Sequence, residues 1–125
     1  MGLAGWLFGP QLIGAVVFVI GLITICFPPK HINRYYGYRL PSAMKNQQTW
    51  KAANRYASRY MLKCGLWIFI GGALATFVFR ILPMSYKLEE GLTVLLFIIS
   101  GMLPAILSIV ATERYLKKTF DNNQR

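Results

Sequence analysis

GLTVLLFIISGMLPAILSIVAT, Gly91 to Thr112, runs for 22 residues without an Asp, Glu, Lys, Arg or His. A helix needs about 20 residues to cross roughly 30 Å of hydrocarbon, because each residue adds 1.5 Å. Two more stretches share this character: Gly2 to Phe27, and Cys64 to Phe79, extendable to Leu82 past Arg80. Composition agrees, with 55% of 125 residues hydrophobic and a mean hydropathy of +0.43, above ordinary soluble usage. A helix buried in a soluble bundle would keep a polar face elsewhere, and none of the three has one. The expected fold class is all-α integral membrane. One domain, 1–125, would carry three transmembrane helices at about 10–27, 62–82 and 91–111, with a loop at 28–61 and a tail at 112–125. The first segment lacks a basic n-region and an A-x-A site, so it is expected to stay in place rather than be cleaved as a signal. Position 6 is Trp, not the Ser or Thr of a myristoylation signal.

Charge sets the orientation. The first connection holds Lys30, Arg34, Arg39, Lys45, Lys51, Arg55, Arg59 and Lys63 and no acid; the second has Lys87 against Glu89 and Glu90. By the positive-inside rule the first loop is cytoplasmic, the N-terminus outside, and the tail with Arg114, Lys117, Lys118 and Arg125 inside. The expected location is a cell membrane, crossed more than once.

Pro10, after Gly9, suits the first position of a helix, where no N–H is needed, and Pro28-Pro29 stops it. Arg80 is close enough to the outer surface to snorkel; its functional alternative is a charge in a solute pathway. Gly101 and Pro104 suggest a kink in the third helix. Small-xxx-small pairs at Gly71/Ala75, Gly72/Thr76 and Gly101/Ala105 would let helices approach closely. Cys26, Cys64 and His31 do not make the four-ligand set of a structural zinc, and no cofactor motif is present.

The loop itself reads in two parts. Tyr35-Tyr36-Gly37-Tyr38 is extended and aromatic, and Arg39-Leu40-Pro41-Ser42 is a turn with Ser42 placed to cap a helix from Ala43. No Pro or Gly follows until Gly65, so a basic amphipathic juxtamembrane helix should continue toward the second span. Trp50, Asn54, Ala57, Met61 and Cys64 then share one face. Lys51, Arg55, Arg59 and Lys63, each four apart, form a ridge of like charge that opposes an isolated helix by a few tenths of a kcal/mol per pair. Anionic lipid repays this at about 1 kcal/mol per cation near the surface, so Lys51, Arg59 and Lys63 are expected at the headgroups. Nucleic acid is not the expected anion, since no recognition motif is present. Asn33, Asn46, Gln47, Gln48 and Asn54 look chosen for directional hydrogen bonds, either to a partner or within the chain.

Tyr36-Gly37-Tyr38-Arg39-Leu40-Pro41-Ser42-Ala43-Met44-Lys45-Asn46, then Trp50, Ala53-Asn54 and Arg55, resembles the signature of the SdpI family of bacterial membrane proteins. The resemblance implies an immunity protein that protects the producing cell against a membrane-active peptide toxin. In some members it also implies signalling by holding a transcriptional repressor at the membrane. Leu40 stands where the family usually has Thr, Ala43 where it has Ser, and Gln48 where it often has an acid. Longer members also carry an additional N-terminal membrane half. These departures bear on signalling more than on the membrane fold.

The residues expected to contact a partner are Tyr38, Arg39, Lys45, Asn46, Trp50, Asn54 and Arg55. Arg39 and Lys45 would meet anionic groups, Tyr38 and Trp50 would pack, and Asn46 and Asn54 would hydrogen-bond. A transporter of an amphipathic solute is the alternative, but the acids Glu89, Glu90, Glu113 and Asp121 all sit at or beyond helix ends, where proton coupling finds little support. A scaffold whose helices associate as a homodimer is a further alternative. No catalytic set is evident, so an enzyme is not expected.

Overall fold

The computed structural model describes residues 6–121. Three long helices run through the described residues: α1 (Pro10–Cys26), α2 (Gln47–Ile81) and α3 (Tyr86–Leu116), the last followed by a π-helical turn over Lys117–Asp121. There is no strand among the described residues. Helices α2 and α3 are long and apolar enough to cross a membrane; α1 is as apolar but has 17 residues.

Pro10 opens α1 behind Gly9, and Phe27 closes it by donating its N–H to the Ile23 carbonyl. The expected juxtamembrane helix and second span are one uninterrupted 35-residue helix, α2, about 50 Å long at 1.5 Å per residue. It begins later than expected. Asn46, not Ser42, is the N-cap: its side chain accepts from the Thr49 N–H at 2.9 Å while the Thr49 hydroxyl accepts from the Asn46 N–H at 3.2 Å. This reciprocal pair satisfies two donors that a helix start otherwise leaves bare, and residues 41–45 remain a turn closed on the Leu40 carbonyl. Helix α3 starts behind Ser85 and continues through Pro104.

Packing is by small residues inside and large ones outside. Helices α1 and α2 run antiparallel, with Gly14 against the backbone of Phe69 and Gly65 against that of Phe18. At Gly72 an added Cβ would lie 2.6 Å from the Gln11 nitrogen, and at Gly21 2.7 Å from that of Leu62. Of the small-residue pairs expected, only Gly72/Thr76 packs directly on another helix; at Gly71 and Gly101 a Cβ would meet nothing within 4 Å. Gly71 lies one residue, roughly 100° of helix rotation, from Gly72, so Gly72 meets α1 while Gly71 borders a space shared with Leu96, Ile99 and Leu103 of α3. The Thr76 hydroxyl lies 3.2 Å from the Gln11 side-chain oxygen and 2.9 Å from the Gly72 carbonyl, sharing one proton between them, and the Gln11 side-chain nitrogen donates to the Trp6 carbonyl, so the buried amide has partners at both ends.

Helix α3 buries Ser100, Pro104, Ser108, Thr112 and Leu116, a row spaced by four. Large apolar side chains such as Leu74, Phe77, Ile98 and Ile106 point outward. On α2 itself Trp50 is 0% exposed and Trp67 72%. A water-soluble bundle would place its largest apolar groups inside; helices that pack in lipid gain nothing from doing so and associate through small residues.

Candidate functional site

The basic connection is folded, not slack. Asn33 organises its start: the side-chain oxygen accepts from the N–H groups of Tyr35 and Tyr36 at 3.0 and 2.7 Å, and the amide donates to the His31 carbonyl. The Tyr36 hydroxyl donates to the Phe27 carbonyl at 2.8 Å, tying the loop to the end of α1. Gly37 then takes φ +103, a conformation open to glycine and strained for other residues. A Cβ there would also sit 2.5 Å from the Asn54 side-chain oxygen.

Asn54 is the latch. It is 8% exposed, and its oxygen accepts from the Tyr38 N–H at 2.6 Å while its nitrogen donates to the carbonyls of Trp50 at 3.0 Å and Tyr38 at 3.4 Å. One turn earlier the fully buried Trp50 indole donates to the Pro29 carbonyl at 2.7 Å. Gln47 donates to the Lys30 carbonyl. One face of α2 thus holds the extended stretch through its backbone groups, which a buried loop could not leave unpaired.

The other side of the loop is held by α3. Glu113 accepts from the Tyr38 hydroxyl at 2.7 Å and from the Ser42 hydroxyl at 2.5 Å. Hydrogen bonds to a carboxylate are roughly twice as strong as neutral ones. Burial, together with that carboxylate, pushes the Tyr38 phenol above the ordinary tyrosine range, so it stays a donor to Glu113 under alkaline conditions that ionise a free tyrosine. Nearby, Tyr115 stacks on Tyr56 with centroids 4.5 Å apart and planes within 6°.

The ten residues singled out from the sequence fall into groups. Asn46, Trp50 and Asn54 spend their hydrogen bonds inside the chain, as cap, anchor and latch, and Tyr38 is half-buried between α2 and α3. Arg39 and Lys45 are exposed, and the Arg39 guanidinium reaches back to the Arg34 carbonyl. Lys45 borders a cavity of about 510 Å³ between the loop and the end of α3, which also touches Glu113, Arg114 and Lys117. Lys51, Arg55 and Arg59 line a second cleft, of about 310 Å³, with Lys30. Lys63 is exposed one turn further on, outside that cleft. Glu113 had been noticed in the sequence only as an acid near a helix end; its place in the clamp depends on partners 71 and 75 residues away.

The sequence model of the SdpI/YfhL protein family matches residues 30–112, from the basic loop through most of α3. The chain belongs to this family. The match leaves out α1 and covers nearly all the loop and latch residues described above. Over 53 residues the chain is 42% identical to the "Uncharacterized protein YfhL" of Bacillus subtilis (strain 168), a stretch making up 42% of this chain and 48% of that protein. The aligned part thus spans about half the length of the curated relative it matches. No solved structure matches. Membership of the SdpI/YfhL family and the two long apolar helices together mark a membrane protein.

Proposed function

We infer that the chain is an immunity-type membrane protein whose clamped loop is a binding platform for a membrane-active peptide toxin. The observation that carries this reading is that the family's signature stretch folds into a fixed surface. Asn54, Trp50 and Glu113 hold it from beneath, and Arg39 and Lys45 stand exposed on it. In this reading Tyr38, Asn46, Trp50 and Asn54 position the platform, Arg39 and Lys45 make the contact, and Arg55, expected from the sequence as a third contact, lines the neighbouring cleft. All three helices cross the membrane, α1 spanning with Phe27 and the residues ahead of Pro10. The positive-inside rule puts the loop and the α3 end in the cytoplasm and the N-terminus outside, in a bacterial inner membrane. Lys51, Arg59 and Lys63 then lie at headgroup level. A repressor held at the membrane would meet the same face.

A proton-coupled transporter would need one of the chain's four acids as carrier, and Glu113, near the inner surface, keeps that reading open. Two hydroxyl donors at 2.7 and 2.5 Å give that carboxylate a holding role, which favours the binding protein. Self-association draws support from Gly101, a smooth position with open space beside it. A mass measurement in nanodiscs checks it: a dimer in wild type that Gly101→Leu converts to monomer is expected, and an unaltered monomer in both contradicts it.

The test of the platform is protection of toxin-sensitive cells by wild type and by the Arg39→Ala/Lys45→Ala double variant at equal membrane abundance. Loss of two charged contacts, each worth about 1.5–3 kcal/mol, should lower the tolerated toxin concentration roughly tenfold or more. Undiminished protection would remove the assigned contact residues.

A further inference from the structure

The cleft between the end of α1 and the first turns of α2 is lined by Lys30, Lys51, Arg55 and Arg59, and no carboxylate lines it. Adjoining it is a second, partly open cavity, of about 340 Å³, bordered by all three helices and the stretch Tyr35 to Tyr38 and walled by groups such as Ile20, Met61, Ala105 and Ile109. Thr24, Asn54 and Ser58 line both. The two hydroxyls among them donate to backbone carbonyls, Thr24 to Ile20 at 2.9 Å and Ser58 to Asn54 at 2.7 Å. They leave the shared rim polar but uncharged. Each space is within the ~300–1,000 Å³ of small-molecule sites.

A third observation concerns Ser108. It is 5% exposed, lines the apolar cavity, and has no hydrogen-bond partner among the described residues. Its oxygen is not sealed off, since Thr112 Oγ1 is the fully buried side-chain oxygen left without a partner among the described residues; the Ser108 hydroxyl instead opens on the cavity, where a ligand can use it. The cavity therefore offers one donor, set in apolar walls, next to a mouth of four uncompensated cations.

We propose that cleft and cavity together bind one anionic phospholipid of the surrounding leaflet. Its phosphate sits among Lys30, Lys51, Arg55 and Arg59, an ester carbonyl accepts from Ser108, and one acyl chain fills the space between α1, α2 and α3. Charge decides the class. Four cations with no acid would meet a zwitterionic headgroup's positive end with repulsion, whereas a phosphate carrying net negative charge offsets their mutual repulsion. The apolar compartment behind them separates a lipid from a free phosphate, which would leave that compartment empty. The lipid would then be a structural component beneath the loop, in contact with both Asn54 and Tyr38.

The test is native mass spectrometry of the full chain released from nanodiscs containing phosphatidylglycerol or phosphatidylcholine. Wild type should retain one phosphatidylglycerol and exchange phosphatidylcholine away. In Arg55→Gln/Arg59→Gln, loss of two surface cations should weaken retention roughly thirtyfold; Lys118→Gln, which removes a cation of the same end outside the cleft, should match wild type. Ala105→Phe, which narrows the apolar compartment and leaves every cation in place, should also lose the lipid. Ala105 is exposed enough for this variant to fold, which far-ultraviolet circular dichroism checks. Equal losses in the double variant and Lys118→Gln would mean diffuse surface attraction and overturn the site. Retention of phosphatidylcholine at the same level, displacement by inorganic phosphate at equal concentration, or full retention in Ala105→Phe would each overturn it too.

Discussion

Gly65→Leu should abolish the folded protein, while Gly71→Leu, six residues along the same helix, should leave it intact or slightly more stable. At Gly65 an added Cβ would overlap the Phe18 backbone nitrogen, and the next atoms are also backbone, the Phe18 Cα at 2.6 Å and the Gly14 carbonyl oxygen at 2.9 Å. Backbone cannot rotate aside as a side-chain end can. Overpacking a tight contact usually costs about 1–3 kcal/mol, and here α1 must move away from α2 as a unit, breaking the Gly14 and Gly72 contacts on the same seam. The expected loss exceeds about 3 kcal/mol, a large part of a typical 5–15 kcal/mol total. At Gly71 a Cβ meets nothing, and replacing a mid-helix glycine recovers up to about 1 kcal/mol of helix propensity. Thermal unfolding and size-exclusion profiles in one detergent compare the two variants. Equal behaviour would mean that α1 and α2 do not meet along this seam.

The second large effect belongs to Asn54→Leu. Leucine matches the shape of asparagine but neither accepts from the Tyr38 N–H nor donates to the Trp50 and Tyr38 carbonyls. The Tyr38 N–H would stay buried without a partner, at a cost of about 1–3 kcal/mol. Gly37, whose positive φ sets the chain close against Asn54, loses its seat as well. The expected outcome is local: the loop lifts away, protection falls with it, and α1 to α3 keep their helical content by circular dichroism. Global unfolding at the same denaturant concentration as Gly65→Leu would contradict a latch that serves only the loop.

Much of this arrangement was legible in the chain. The uncharged runs gave the three helices, Pro10 marked the first position of α1, and the lack of Pro or Gly from Ala43 to Gly65 matched the continuity of loop helix and span in α2. Of the face shared by Trp50, Asn54, Ala57, Met61 and Cys64, the first three are buried and the last two half-buried. The onset of α2 was misplaced because two capping residues compete four apart, and the choice of Asn46 depends on Thr49 completing the pair. Ser42 was free to serve α3 instead. Glu113 was not legible as a clamp, since nothing local in an acid at a helix end reveals hydroxyls arriving from a distant loop. Gly14, Gly21 and Gly65 were passed over because glycine is frequent in apolar helices, and only the neighbouring helix distinguishes a glycine at a seam from one facing lipid.

The central claim is that the signature loop is a folded surface locked to α2 and α3. Hydrogen exchange at the Tyr38 amide in nanodiscs tests it most directly, because that N–H lies outside any helix and its partner is the Asn54 side chain alone. The account predicts protection comparable to the amides of α2 in wild type, and exchange at the rate of an open loop in Asn54→Leu. Open-loop exchange in the wild-type protein would contradict it.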